Sequence, residues 1–205
     1  AVKDAHEVAL IKEAINIAEK ALKDTLNFLK PGMSELEVCR YLENKMLDYG
    51  AEETSFTTIV ASGYRGALPH GVASDKIIQN NELITFDFGC KYKGYCSDIT
   101  RTVALGTVDQ QLIDIYNTVL EANLLGIETV RANMNGKHVD KVVRDFIDAK
   151  GYKGMFGHGL GHSFGIDIHE DPRLRSDADH HLEVGNVVTI EPGIYVPDVG
   201  GVRIE

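Results

Sequence analysis

The strongest constraint on the fold of this chain is a pattern that occurs twice. Residues 4–29 carry Val8, Ile11, Ile15, Ala18, Leu22 and Leu26 at helical spacing, with Lys and Glu between them. Lys30-Pro31-Gly32 ends that helix. Ser34-Glu35-Leu36-Glu37 is a capping box that opens a second helix, to about Tyr49. Gly50 stops it, and Thr54 to Ala61, rich in β-branched residues, reads as a strand. The order then recurs. Asp109 caps a long helix to about Ala132, with Leu112, Ile115, Val119, Leu120 and Ile127 as its apolar stripe. A shorter helix runs from about Lys137 to Lys150, and Gly151 ends it. At an offset of 101 residues, Met33 pairs with Met134, Val38 with Val139, Leu42 with Val143, Met46 with Ile147 and Gly50 with Gly151. The pattern predicts one domain, 1–205, of two pseudo-repeats, about 1–106 and 107–205. Two α/β halves related by a pseudo-two-fold axis would form a cleft between their sheets, a usual place for a ligand.

Carboxylates stand at unusual places in the strands. Glu82 to Phe88 and Ile99 to Leu105 read as strands joined by a hairpin around Lys93-Gly94. Asp87 lies inside the apolar run Leu83 to Phe88, where an unpaired carboxylate is costly. Asp98 follows eleven residues later, and a hairpin can set two such positions on one face. Glu191 ends the strand-like run Val187 to Ile190, and Glu205 ends Gly201 to Ile204. Two acidic side chains on adjacent strands repel unless a cation lies between them.

A third signal is the stretch Gly157 to Glu170, with His158, His162 and His169 separated by glycines. Imidazole is the commonest metal ligand side chain and a proton shuttle near neutral pH. Glycine allows close backbone approach. Four carboxylates and one of these histidines make a five-ligand set. Such an oxygen-rich set suits Mn²⁺ or Co²⁺, with Zn²⁺ or Fe²⁺ as alternatives. Five ligands fit two metals ~3.5–4 Å apart better than one.

Composition excludes other classes. The net charge of −10 argues against a nucleic-acid partner. No apolar run approaches the ~20 residues of a membrane span, and no signal peptide opens the chain. Three cysteines, Cys39, Cys90 and Cys96, form no C-x-x-C, which points to a reducing, cytoplasmic setting. Ala1-Val2 lacks an initiator Met, and Val202 to Glu205 reads like a strand cut in the middle, so the chain reads as a fragment of a longer one.

Taken together, Pro69-His70-Gly71, Asp87-Phe88-Gly89, Gly94 to Arg101, His158 to Glu170, Glu191 to Tyr195 and Val202 to Glu205 resemble the pita-bread metallopeptidases. Within them the chain is most similar to the prolidase and Xaa-Pro aminopeptidase branch. The resemblance implies an α+β pita-bread fold, with a curved antiparallel sheet and helices outside. It implies hydrolysis of Xaa-Pro bonds in peptides with proline second, and it leaves a homodimer open. By the same resemblance Asp87, Asp98, His162, Glu191 and Glu205 bind the metals, with Asp98 and Glu205 bridging them. Glu191 shuttles the proton. His70 and His169 contact substrate near the scissile carbonyl, and His158 flanks the pocket. Arg173 meets the substrate carboxylate, and Tyr195 and Arg203 orient Asp87. Relative to that branch, the chain is expected to be without the extra N-terminal domain and to have its last strand cut at the second Glu.

Three rival readings follow from the same fold. A methionine aminopeptidase would share the ligand types, but the four-residue spacing of His158 and His162 and the Pro172-Arg173 pair argue against it. A peptide-binding module without catalysis, or an amidinohydrolase of the creatinase type, would be expected to lack ligands that are all present here.

Overall fold

A computed structural model describes residues 2–205. Helices α1 (Ala5–Phe28) and α2 (Glu35–Asp48) precede strands β1 (Glu53–Thr54), β2 (Ile59–Ser62), β3 (Glu82–Phe88), β4 (Cys90–Tyr92), β5 (Tyr95–Cys96) and β6 (Ile99–Leu105). Helices α3 (Gln110–Thr129) and α4 (Gly136–Ile147) precede β7 (Gly161–Ser163), β8 (Glu170–Leu174), β9 (Gly193–Val196) and β10 (Gly200–Arg203). Among the described residues, no helix is long and apolar enough to cross a membrane.

The positions matched at the 101-residue offset hold matching structure. Val38, Leu42 and Met46 on α2, and Val139, Val143 and Ile147 on α4, are all buried. Ser34 caps α2 by accepting from Glu37 N, and Asn135 caps α4 by accepting from Lys137 N. Gly50 and Gly151 both take left-handed φ, 103° and 96°, just past those helices. Two expectations for α3 need correction. Asp109 stands at its N-cap, yet its side chain makes no capping bond. Leu120 and Ile127 point outward; the buried face is Ile115, Val119, Ala122, Asn123 and Gly126. The helix approaches along its small residues, because a Cβ on Gly126 would lie 2.6 Å from Ile190 Cγ2.

Strands β2, β3 and β6 form an antiparallel sheet in that order. Alternate residues of β3 serve opposite faces. Ile84, Phe86 and Phe88 enter the core beneath α1 and α2. Each such fully buried side chain stabilises by roughly 1.5–3 kcal/mol. The other parity carries Leu83, Thr85 and Asp87, and Leu83 joins the core of the second half, beneath α3 and α4. Asp87 therefore faces the space between the halves.

The hairpin expected around Lys93-Gly94 exists, but in two pieces. β4 and β5 pair around that turn, where Lys93 and Gly94 take φ of 48° and 82°. β3 and β6 form the outer piece. The break falls at Gly89, where a Cβ would sit 1.9 Å from Ser97 O. The expected strand from Thr54 to Ala61 also splits, β1 pairing with β4 and β2 with β3. The run Val187 to Glu191 is extended but forms no ladder of its own. It donates from Thr189 N to His162 O and from Glu191 N to Leu160 O, both 2.8 Å. The reciprocal amides are diverted to side chains, His162 N donating to Thr189 Oγ1 and Leu160 N to Asp140 Oδ1, so no regular ladder forms.

Candidate active site

Each half sends one part of a shared cavity of about 390 Å³. From the first half come Asp87, on β3, and Asp98, just before β6. In the β3–β6 ladder Asp87 stands opposite Thr100, so Asp98, two residues earlier, emerges on the same face. From the second half comes Glu205, just past β10. Its N–H donates to Thr100 O at 3.1 Å, and Thr100 Oγ1 donates to Glu205 Oε2 at 2.9 Å. Asp87, Asp98 and Glu205 each offer an oxygen within 4.8 Å of the others.

His162 and Glu191 extend this cluster. His162 Nε2 lies 3.4 Å from Asp98 Oδ2 and 3.2 Å from Glu191 Oε1. Its Nδ1 lies 3.0 Å from Ser163 O, a carbonyl that can only accept. Nδ1 therefore carries a proton, and Nε2 turns toward the carboxylates. The backbone bonds from Thr189 and Glu191 fix this alignment, and Gly161 permits it. A Cβ there would lie 2.0 Å from Thr189 O.

The electrostatics are unbalanced. Burial, and then the charge of neighbouring carboxylates, push Asp98 and Glu205 well above the usual carboxylate range. Burial raises Asp87 as well, against the opposing charge of Arg203. Burial also disfavours the charge on Glu191, but hydrogen bonding and charge from His162 outweigh it and hold Glu191 below its ordinary value. His162 mirrors this, raised by Glu191 despite burial. Asp87 Oδ1 and Glu205 Oε1 are buried with no hydrogen-bond partner. Buried acceptors are rarely left unmatched. Converging carboxylates, two unmatched oxygens and one imidazole nitrogen facing them fit divalent cations.

Arg203 braces this wall. Its guanidinium donates to Asp87 Oδ2 at 2.7 Å, to Tyr195 Oη at 3.0 Å and to Pro69 O at 3.1 Å. The Tyr195 hydroxyl lies 2.6 Å from His158 Nε2, and His158 Nδ1 lies 2.8 Å from Gly159 O. Burial pushes the Tyr195 hydroxyl up to about 12 and lowers His158. Both ring nitrogens of His158 are thus engaged inside the protein.

His70 and His169 are exposed at the cavity wall, and the His169 ring meets the His162 ring edge-on at 4.6 Å. Burial, then His162, lowers His169. Arg173 lines the cavity 3.5 Å from Asp171. The cavity thus gathers Asp87, Asp98, His162 and Glu191 with His70, His158, His169, Arg173 and Arg203. Three participants were given no role by the sequence. Arg175 also lines the cavity. Thr100 holds Glu205, and Thr189 donates to Glu191 Oε1 at 2.9 Å while accepting from His162 N. A readable signal existed for the threonines: each lies two residues from a site carboxylate on an extended run, so it shares that face.

Comparison with known proteins agrees with this geometry. A model of metallopeptidase family M24 matches residues 9–205. An uncharacterized peptidase of Bacillus subtilis is 51% identical over 204 residues, all of this chain and 58% of the relative. A Xaa-Pro dipeptidase of Pyrococcus horikoshii is 43% identical, again over all of this chain and 58% of the relative. The structure of a Xaa-Pro dipeptidase from Bacillus anthracis superposes with a TM-score of 0.97 at 51% identity, over 99% of this chain and 57% of that one. This chain therefore spans a little under three-fifths of the relatives it matches. The α+β architecture is the pita-bread fold of those structures. By family match, identity and fold together, the chain belongs to metallopeptidase family M24.

Proposed function

We propose that this chain is the catalytic domain, residues 1–205 in pseudo-repeats 1–106 and 107–205, of a dinuclear metal-dependent peptidase. It hydrolyses the bond between an N-terminal residue and a following proline. The observation that carries the reading is the pair of unmatched buried oxygens, Asp87 Oδ1 and Glu205 Oε1, inside the carboxylate cluster. Substrate class comes from relatives named Xaa-Pro dipeptidase and X-Pro aminopeptidase, 43–51% identical.

Asp87, Asp98, His162, Glu191 and Glu205 hold two divalent cations, with Mn²⁺ or Co²⁺ preferred by so oxygen-rich a set. Bound cations supply Lewis-acid polarisation of the scissile carbonyl and acidify an attacking water. The chain's own groups do the rest. Glu191, with Oε1 held by Thr189 Oγ1, takes up the proton released by the attacking water and returns it to the leaving proline nitrogen. His169 and His70 stand exposed on the wall and position the peptide, donating to the oxygen on which negative charge develops. Arg173 accepts a substrate carboxylate, for which its planar fork is suited. His158, engaged at both nitrogens, packs against substrate with its ring. Arg203 and Tyr195 hold Asp87 in place. The three buried free cysteines fit a reducing cytoplasm.

The test is a metal-reconstituted assay on Ala-Pro, Ala-Pro-Ala and Met-Ala-Ser. Turnover of either proline peptide, with Met-Ala-Ser left intact, is expected. Cleavage of Met-Ala-Ser alone would replace the reading with a methionine aminopeptidase-like one. Absence of bound metal together with no turnover of any peptide would favour a binding module.

A further inference from the structure

We infer that the second helix of each half carries a buried carboxylate–arginine clamp that positions the site histidines. In the first half the clamp is Glu35–Arg65. In the second it is Asp140–Arg144. The histidines' roles in catalysis rest on the peptidase reading; the clamps are read from geometry alone.

Glu35, on the first turn of α2, is fully buried. Its Oε1 accepts from Ser62 N and Ser62 Oγ, both at 2.8 Å. Its Oε2 accepts from Ser74 N at 3.0 Å and Ser74 Oγ at 2.7 Å. One carboxylate thus ties together the two ends of the loop whose middle carries His70. Arg65 pairs with Glu35 and donates across that loop to Val72 O at 2.9 Å. The negative end suits a helix N-terminus.

Asp140, on α4, is 1% exposed and forms a two-point pair with Arg144 at 2.8 and 3.0 Å. Asp140 Oδ1 accepts from Leu160 N at 3.0 Å. Arg144 donates to Phe156 O at 2.5 Å and His158 O at 2.7 Å. The clamp therefore grips every second residue from 156 to 160, directly before His162. That stretch holds Gly157, Gly159 and Gly161, whose backbone freedom is large. A fixed histidine geometry there needs an external hold.

The two clamps occupy different positions in the repeat. Glu35 matches Gly136 at the offset of 101 residues, and Asp140 matches Cys39. They share a task rather than a sequence position. Asp140 acts on a proposed metal ligand, His162, whereas Glu35 acts on His70, which is not one. That difference makes the proposal testable.

The variants are Glu35→Gln and Asp140→Asn in the full chain, with Arg65→Lys and Arg144→Lys as milder forms should either amide not fold. Ring ¹⁵N spectra of histidine-labelled, metal-free protein are recorded, with Mn²⁺ titrations beside them. Asp140→Asn should move the His158 and His162 rings and leave His70 in place. Glu35→Gln should do the reverse. Mn²⁺ affinity should fall roughly tenfold for Asp140→Asn and change by less than about twofold for Glu35→Gln. If both variants move all three rings alike, or neither moves its own, the clamps are general stability elements and the proposal fails. No turnover of any Xaa-Pro peptide by the wild type, with the crossed pattern seen in the two variants, would sink the peptidase reading and keep the clamps.

Discussion

Asp87 and His169 face the same cavity from supports of opposite kind. Asp87 stands in a seven-residue strand between Phe86 and Phe88, both fully buried. Its position follows from strand parity and is locked by Arg203. His169 is exposed, just before β8, and touches the site through the His162 ring. The carboxylate wall is rigid, buried and electrostatically unfavourable by itself. On the histidine wall His70 and His169 are exposed, while His158 and His162 are largely enclosed. Rigid supports carry the groups whose mutual repulsion would otherwise drive them apart. Exposed supports carry the groups to which the proposed reaction assigns the substrate.

The sharpest test of that contrast is Asp98→Ala against His162→Ala. Both should lower turnover by more than about a thousandfold, since metal polarisation is worth several kcal/mol. Only Asp98→Ala should raise the melting temperature of the metal-free protein, because it removes a repelling buried carboxylate. A scanning calorimetry trace in chelator, showing Asp98→Ala no more stable than wild type, would break the comparison.

Next in size, Arg203→Lys should cost about ten- to a hundredfold in metal affinity or activity, as for other groups that orient ligands. One ammonium cannot span Asp87, Tyr195 and Pro69 together. Titration with Mn²⁺ checks it. His169→Gln and His70→Gln should lower kcat by roughly a hundredfold with metal content unchanged. Metal loss in either variant would mean that the two walls are not separable.

The smallest effect concerns pH. Burial disfavours the charge on Glu170, but the hydrogen bond from Lys3, the backbone N–H of Asp167 and the charge of Lys3 together outweigh it and hold the folded value below 4.5. A lowered folded pKa contributes stability that is present above 4.5 and lost as pH falls through the folded value. Lys3→Met should therefore flatten the loss of stability on acidification, moving the acid midpoint by roughly a few tenths of a pH unit. Acid titration followed by circular dichroism reads it. The histidine-wall rings should stay where they are.

Legibility followed the same divide. The strands bearing Asp87 and Asp98 could be read because an acid inside an apolar run has few explanations. Helices α2 and α4 could be read from spacing and caps. Glu35 could not. An acid in a helix's first turn is ordinary, and Ser34 with Glu37 already accounted for the capping box. Asp140 and Arg144 look like a surface i, i+4 pair, since burial of that face is decided by the distant Gly157–Leu160 turn. The run Val187 to Glu191 read as a strand because composition cannot show that the amides facing it, Leu160 N and His162 N, donate to side chains instead.

The β3–β6 ladder also limits how this sequence can vary in length. Asp87 faces the cavity only because it lies an even number of residues from Leu83 and Thr85. One residue inserted between Glu82 and Asp87 would turn Phe86 outward toward the polar cavity and drive the carboxylate into the core beneath α1. Homologous chains should therefore tolerate insertions at the Lys93-Gly94 turn, while the spacing from Glu82 to Asp87 stays fixed.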